Sequence, residues 1–480
     1  MRPAPLFFIL AAPATTLAQG WDPTSVVSGS PLSIANLQSK IKTVVIMVME
    51  NRSFDNLLGG LDIWGLDNPT NNGQFCNPLN ISDPSQGQAC TGPTDYNSIL
   101  DDPDHSVIGN NMEFYGTYIP DNSAIQDGSL TPSMNGFADE QIFHYGAEVN
   151  ATVLGTQVMH YYSEEEIPVL AELSKNFVVF NRWFSDIPGP TNPNRVSLCS
   201  GTSNGAGANN FAYNAMPQKS IFQALTESGR TWKDYLVDDS IQDARWFEWT
   251  YSSGNTDKVV YMDEFYADAA NGTLPNLVYI NPSCCGEGTN SMHPTGPVSE
   301  GEQLIKQVYE ALRASPQWDE IAWSRLTTFR TRWPADEHSF PVLTFDETGG
   351  FHDHVSPPLA TPPDDLTFTS TAPNGQNYTF GFDRLGGRMP TWLISPWVAP
   401  IVEQEGMNSA HQFVAYSASS ILRTVSYLWD WEPFTPRVEA SPAFDHLILP
   451  FSRWTPETLP DVVQFKRDNV LAAKPFCPEA

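Results

Sequence analysis

Two stretches of the sequence place oxygen-bearing side chains at the end of an apolar run. In "VVIMVMENRSFDNLLGG", residues 44–60, all six residues from Val44 to Met49 are aliphatic or thioether in character before Glu50, Asn51, Arg52 and Ser53 follow side by side. In "VLTFDETGGFHDHVSPP" an apolar run gives way to Asp346 and Glu347, then to a glycine pair and to His352, Asp353 and His354. Carboxylates joined by a carboxamide oxygen suit a hard or borderline divalent cation. A third stretch, "DIPGPTNPNRVSLCSGTSNG" at 186–205, stiffens a loop around Thr191 with Pro188, Pro190 and Pro193. If Pro193 sits in the first turn of a helix, Thr191 or Asn192 lies near the helix N-terminus, where backbone N–H groups favour anions. A threonine hydroxyl there, beside a metal, has the chemistry of a nucleophile. Either strand end alone reads equally well as an ordinary cap, and a Pro-rich loop with a threonine is more often just a turn; their combination is what points to a site.

The elements that must position these residues alternate between short apolar strands and amphipathic helices. Strands are expected at Thr43–Met49, Phe177–Phe180, Trp232–Val237, Leu277–Ile280, Val342–Phe345 and Thr391–Ile394, and helices at Ile167–Leu173, Gly301–Ala314 and Ser417–Leu428. The alternation predicts an α/β fold with a central, mostly parallel sheet and helices on both faces. Ligands of such sheets bind at the carboxyl ends of the strands, where Glu50 and Asp346 stand. Residues 62–135 are rich in Asn, Asp, Gly, Pro and Ser and are expected to form an irregular insertion within one catalytic domain spanning 19–480.

Composition narrows the function. The 480 residues are 41% hydrophobic and 17% charged, which suits a folded globular chain. A formal net charge of −30 excludes nucleic acid as a partner, because nothing would neutralise its phosphates, and disfavours anionic membranes. A small phosphate ester or a zwitterionic lipid headgroup remains, with at most peripheral contact with a membrane and no protein partner evident. Arg2, the apolar run Leu6–Ala12 and the small residues Thr16 and Ala18 read as a signal peptide over 1–18, so the mature protein is expected to be secreted. Sequons at Asn80, Asn150, Asn271 and Asn377 agree with export from a eukaryotic cell. The six cysteines are expected to form disulfides, Cys76 with Cys90 most readily, and the adjacent Cys284 and Cys285 with different partners.

Taken together, "MENRSFDNLLG", "GPTNPNR" and "DETGGFHDHVSPP" resemble the phosphoesterase family that contains phosphatidylcholine-type phospholipases C and certain acid phosphatases, within the alkaline phosphatase-like superfamily. Supporting stretches are "DPDH" at 102–105, "MNGF" at 134–137, "HP" at 293–294 and "RLGGRMPTWLISPW" at 384–397, in family order over about residues 40–400. The resemblance implies one divalent metal ion held by Glu50, Asn51, Thr191, Asp346 and Glu347, with Thr191 as nucleophile. It implies that His105 and His293 hold phosphate oxygens or protonate the leaving group, and that His354 is the family histidine of its "DHV" run. Two departures stand out. His352 replaces a common aromatic, as an extra acid–base group or a neutral change, and Ser417 with Ala418 stands where many relatives carry Glu-His. A threonine nucleophile favours a phospholipase C acting on the phosphodiester of glycerophospholipids; an acid phosphatase is the alternative, and a non-catalytic metal-binding module the third reading.

Overall fold

The computed structural model describes residues 27–146, 150–318 and 339–469. The signal-peptide reading over 1–18 and Cys477 lie outside the described residues. The centre is an eight-stranded sheet made of β1 (Thr43–Met49), β2 (Val178–Phe180), β3 (Trp232–Leu236), β4 (Val259–Tyr261), β5 (Leu277–Asn281), β6 (Ser339–Phe345), β7 (Trp392–Leu393) and β8 (Val402–Glu403). Its order is β4-β3-β5-β1-β6-β7-β2-β8. Five of the seven pairings are parallel; only β7 runs antiparallel to both its neighbours, β6 and β2. The expected α/β class and mostly parallel sheet are therefore present, with β4 and β8 added as short edge strands that carry too few apolar residues to stand out in the sequence.

The helices that bear on the site are α1 (Phe54–Leu58), α2 (Val107–Tyr115), α3 (Phe137–Tyr145), α4 (Pro168–Asn176), α5 (Thr191–Ser200), α6 (Val298–Ala314) and α7 (Ala418–Trp429). All seven residues of β1 and all seven of β6 are buried, the mark of strands covered on both faces. On one face Ile305, Val308 and Leu312 of α6 meet Val45, Met47 and Leu343. On the other, Phe222 packs on Tyr279 and Phe444 on Phe340, with ring centroids 5.6 and 6.1 Å apart. Each fully buried Val, Ile, Leu or Phe contributes roughly 1.5–3 kcal/mol, so these two layers hold the strand ends in place.

The 62–135 segment is more ordered than its composition suggests. A hairpin pairs Cys76–Pro78 with Gln88–Cys90 and is closed by the expected Cys76–Cys90 disulfide. Helix α2 begins at Ser106, whose hydroxyl accepts the Gly109 N–H, and ends at Gly116 in the left-handed region. It is stabilised by packing rather than propensity: Phe114 joins Phe137 and Met134 in a small separate core. One expectation on the cysteines fails. Cys284 and Cys285 are bonded to each other across a cis peptide, which brings their Cα atoms to 3.1 Å and lets adjacent side chains meet. Cys199 is buried and free.

Candidate active site

The register of the sheet builds the site. Met49 of β1 pairs with Phe345 of β6, so the residues that follow, Glu50 and Asp346, emerge side by side. The chain then turns sharply at Asn51, which takes a left-handed φ of 54° that asparagine tolerates. Its backbone N–H donates to Asp346 Oδ1 at 3.0 Å, and the same oxygen accepts the Glu347 N–H at 2.8 Å. Gly349 closes the other side: its φ is +62°, and a Cβ there would lie 2.3 Å from the Asn51 carbonyl oxygen. Arg52 and Ser53 serve the frame. Arg52 Nε donates to the Met292 carbonyl at 2.7 Å, and Ser53 caps α1 by accepting the Asn56 N–H at 3.1 Å.

Thr191 is the first residue of α5, so Pro193 does fall in the opening turn. Its hydroxyl lies 3.4 Å from Asn51 Oδ1. The loop before it is held by Asn194, whose amide accepts the Ile187 N–H and donates to the carbonyls of Ile187, Gly189 and Pro190 at 2.9–3.2 Å. One turn along the helix stands Arg195, fully buried. It pairs with Glu50 through Nη2, with Asp346 through Nε at 3.3 Å and with Asp243 through Nη1 at 3.0 Å. Nη1 also donates to Asn281 Oδ1 at 3.0 Å and Nη2 to the Val48 carbonyl at 3.0 Å. Asn194, which holds the Thr191 loop, and Arg195, which joins Glu50 to Asp346, were missed by the sequence reading. Their spacing from Thr191, three and four residues on one helix, was the available signal.

The histidines separate into two groups. His105 lies 3.3 Å from the Asn51 amide nitrogen and 3.9 Å from Glu347 Oε1, with Nδ1 donating to the Pro103 carbonyl at 2.8 Å. Burial works against its charged form, but Glu347 and Asp102 outweigh burial and push the ring up to about 9. His293 is buried with Nε2 3.6 Å from Asp102, and there burial prevails and lowers its pKa. His354 stands apart from these two: its nitrogens are both taken, by Asp55 at 2.7 Å and Asp67 at 2.9 Å, and its ring stacks on Phe75 at 4.2 Å. His352 is buried against Phe137, and burial drives its pKa down to about 3, which fits a neutral ring filling an aromatic position. Ser417 precedes α7 as its N-cap, a structural use of the position.

The carboxylates are crowded in a way that suits a cation. Burial raises the Glu50 pKa well above the usual range, with Asp346 adding to the rise and Arg195 opposing it. Burial likewise pushes Glu347 up to about 8. Glu347 Oε2 accepts the Gly349 N–H at 2.5 Å, but Glu347 Oε1 is buried without a hydrogen-bond donor, while Glu50 Oε1 faces Arg195 Nη2. The unpartnered Glu347 oxygen and the Glu50 carboxylate, together with Asn51 Oδ1 and the Thr191 hydroxyl, form a donor set that fits a divalent cation. Asp346 already spends one oxygen on two backbone N–H groups and the other on Arg195, so it orients the set as well as adding charge.

The sequence pattern of the Phosphoesterase family matches residues 41–324 and 320–432, a span that includes every one of these positions. The chain belongs to the Phosphoesterase family. This phosphoesterase is 34% identical over 441 residues to non-specific phospholipase C3 of Arabidopsis thaliana, covering 88% of this chain and 77% of the plant protein. It is 24% identical over 414 residues to the non-hemolytic phospholipase C of Burkholderia pseudomallei, covering 74% and 52% of the two chains. Among solved structures it is similar to a protein in the alkaline phosphatase superfamily from Vibrio parahaemolyticus, at 11% identity and a TM-score of 0.34 over 57% of this chain and 63% of that one. The phosphoesterase is thus a phosphoric ester hydrolase of the phospholipase C-like kind.

Proposed function

We propose that this protein is a secreted phospholipase C that cleaves the phosphodiester of glycerophospholipids, with Thr191 as nucleophile. The observation that carries the reading is the Thr191 hydroxyl at the start of α5, 3.4 Å from Asn51 Oδ1, the residue that leads from Glu50 to the turn against Asp346 and Glu347. The helix N-terminus favours a phosphate at Thr191. One divalent cation held by Glu50, Asn51, Thr191, Asp346 and Glu347 would supply charge stabilisation for the phosphoryl oxygens and a lower pKa for the hydroxyl. Thr191 attacks phosphorus and forms a phosphothreonine as the diacylglycerol oxygen leaves; water then cleaves the P–O bond and releases the phosphorylated headgroup. His105 and His293 stand on the Asn51 and Asp102 sides of the site, where they can hold phosphate oxygens and pass a proton to the leaving oxygen.

The relatives named phospholipase C support a phosphodiester over a monoester. Secretion is supported by the Cys76–Cys90 disulfide and by exposed sequon asparagines at 150, 271 and 377, while Asn51, formally in a sequon, is buried. The test compares turnover of p-nitrophenylphosphorylcholine with that of p-nitrophenyl phosphate, with and without a chelator. Faster turnover of the diester, lost on chelation and restored by a divalent metal, is expected. Turnover of the monoester alone would make the protein an acid phosphatase.

A further inference from the structure

Apolar side chains exposed singly on a protein surface need no explanation. Trp64 and Phe413 are not single. Trp64 is 97% exposed and Phe413 69% exposed, and both line one concavity of about 710 Å³. Its lining includes half-buried Ile63, Ile401, Val402 and Met407 and buried Leu447. A contiguous apolar surface of this kind marks a place of interaction.

Both aromatic side chains are held out by well-tied backbone. Asn181, the residue after β2, braces the Trp64 loop. Its amide nitrogen donates to the Gly65 carbonyl at 2.7 Å and to Gln404 Oε1 at 3.0 Å, and its oxygen accepts the Asp67 N–H at 3.0 Å. The Asn71 amide donates to the Ile63 and Leu66 carbonyls at 3.1 and 3.0 Å. Phe413 stands on a hairpin that pairs Gly406–Met407 with Phe413–Val414. The Asn408 side chain closes that turn by accepting the Ala410 and Gln412 N–H groups at 3.0 Å.

One end of the groove reaches the catalytic edge of the sheet. β8 runs parallel to β2, both β2 and β6 run antiparallel to β7, and β6 runs parallel to β1, so β8 and β1 point the same way. Gln404 therefore leaves β8 at the edge where Glu50 leaves β1. The two strands are four places apart in the sheet, about 20 Å. A surface that takes up Trp64 and Phe413 is thus met by the same edge that carries the Thr191 centre.

The charges around the groove select the partner. Glu405 in the lining and Asp62 beside Trp64 are exposed carboxylates. Among the described residues Lys175 is the only lysine or arginine of the lining, and it is already paired with Glu164. Such a rim repels anionic surfaces and attracts cations. A layer of trimethylammonium groups over hydrocarbon suits it: carboxylates and aromatic faces meet the ammonium, and the rings sit at headgroup depth. A partner that adds a strand is disfavoured, because β8 offers an edge of only two residues.

We propose that Trp64 and Phe413, with the groove they line, dock this protein on membranes of zwitterionic phospholipid, a role that rests on the phospholipase C reading. The test is flotation of the full-length protein with phosphatidylcholine vesicles, with a chelator present to spare the lipid. It is repeated on the Trp64→Ala/Phe413→Ala double variant and on vesicles in which half of the lipid is phosphatidylserine. The wild type is expected to bind phosphatidylcholine at least tenfold more tightly than the double variant does, and at least tenfold more tightly than it binds the half-anionic vesicles. Without chelator, turnover of soluble p-nitrophenylphosphorylcholine by the double variant should stay at the wild-type level, while turnover of vesicle lipid should fall at least tenfold. No vesicle binding by the wild type, or equal binding by the two proteins, overturns the proposal. So does a wild-type dimer in sedimentation velocity that the double variant abolishes, which would assign the groove to a second copy. Vesicle binding that the double variant loses, with neither diester hydrolysed by the wild type, would instead overturn the phospholipase C reading and leave the docking surface standing.

Discussion

Glu50 and Asp346 leave two adjacent parallel strands one step beyond the Met49–Phe345 pair and share the guanidinium of Arg195. Two buried like charges are held together by one buried opposite charge, and the arrangement is costly to break. Replacing Arg195 by Met leaves Glu50, Asp346 and Asp243 without their cation, and the expected loss is about 3–5 kcal/mol. Urea denaturation of Arg195→Met against the wild type measures it; a change under 1 kcal/mol would mean that the pairing is not structural.

Thr191→Ala should keep the fold and lower turnover by at least ~10³-fold, roughly 4 kcal/mol of barrier. Thr191→Ser keeps the oxygen and should keep part of the activity. Rates on a chromogenic phosphodiester decide the matter, and a wild-type rate from Thr191→Ala would exclude the covalent route.

Glu347→Gln retains the shape of the side chain and removes its charge at the oxygen that lacks a donor. The dissociation constant of the activating metal should rise by about 10–100-fold while the thermal midpoint hardly moves. Activity titrated with metal after chelation gives the constant directly.

Gly349→Ala places a methyl group against the Asn51 carbonyl in a backbone conformation that disfavours any side chain. The strain is on the order of 1–3 kcal/mol and falls on the turn that holds Asn51. Both stability and turnover should drop, and the loss of turnover should exceed that of Gly375→Ala, at a surface turn where an added Cβ meets nothing.

The pH dependence of stability should carry a signature of His354. Burial opposes its charge, but the hydrogen bonds to Asp55 and Asp67 prevail and raise the ring to about 9 from an ordinary 6.5. The stabilisation is full below pH 6.5 and is lost as pH rises through 9. The stability gap between wild type and His354→Gln should therefore narrow on going from about pH 6 to about pH 9.5 in chemical denaturation. A constant gap would mean that the ring is neutral throughout.

Much of the site was legible because β1 and β6 are unbroken apolar runs, and a buried parallel strand can end only where its polar residues begin. Thr191 was legible through the prolines around it. Arg195 was not, since one arginine on a helix reads as a solvated face, and only the fold reveals that it points at Glu50 and Asp346. The cysteine pair at 284–285 was misread because adjacent residues in a trans chain hold their side chains apart. Helix α2 was hidden in a polar stretch because its stability comes from Phe137 and Met134, which lie well downstream. His354 carried the right motif, but its two carboxylate partners come from residues 55 and 67, and no local pattern announces them.

The hydrogen bond from Asn51 to Asp346 spans 295 positions of the chain. A growing polypeptide therefore carries Glu50 and Asn51 for most of its synthesis without Asp346 and Glu347, and it cannot assemble the centre until β6 is delivered and inserted beside β1. Contacts so far apart in sequence form late and slowly. The centre is then completed with the last part of folding, and a chain that stops short of β6 lacks Asp346 and Glu347 altogether.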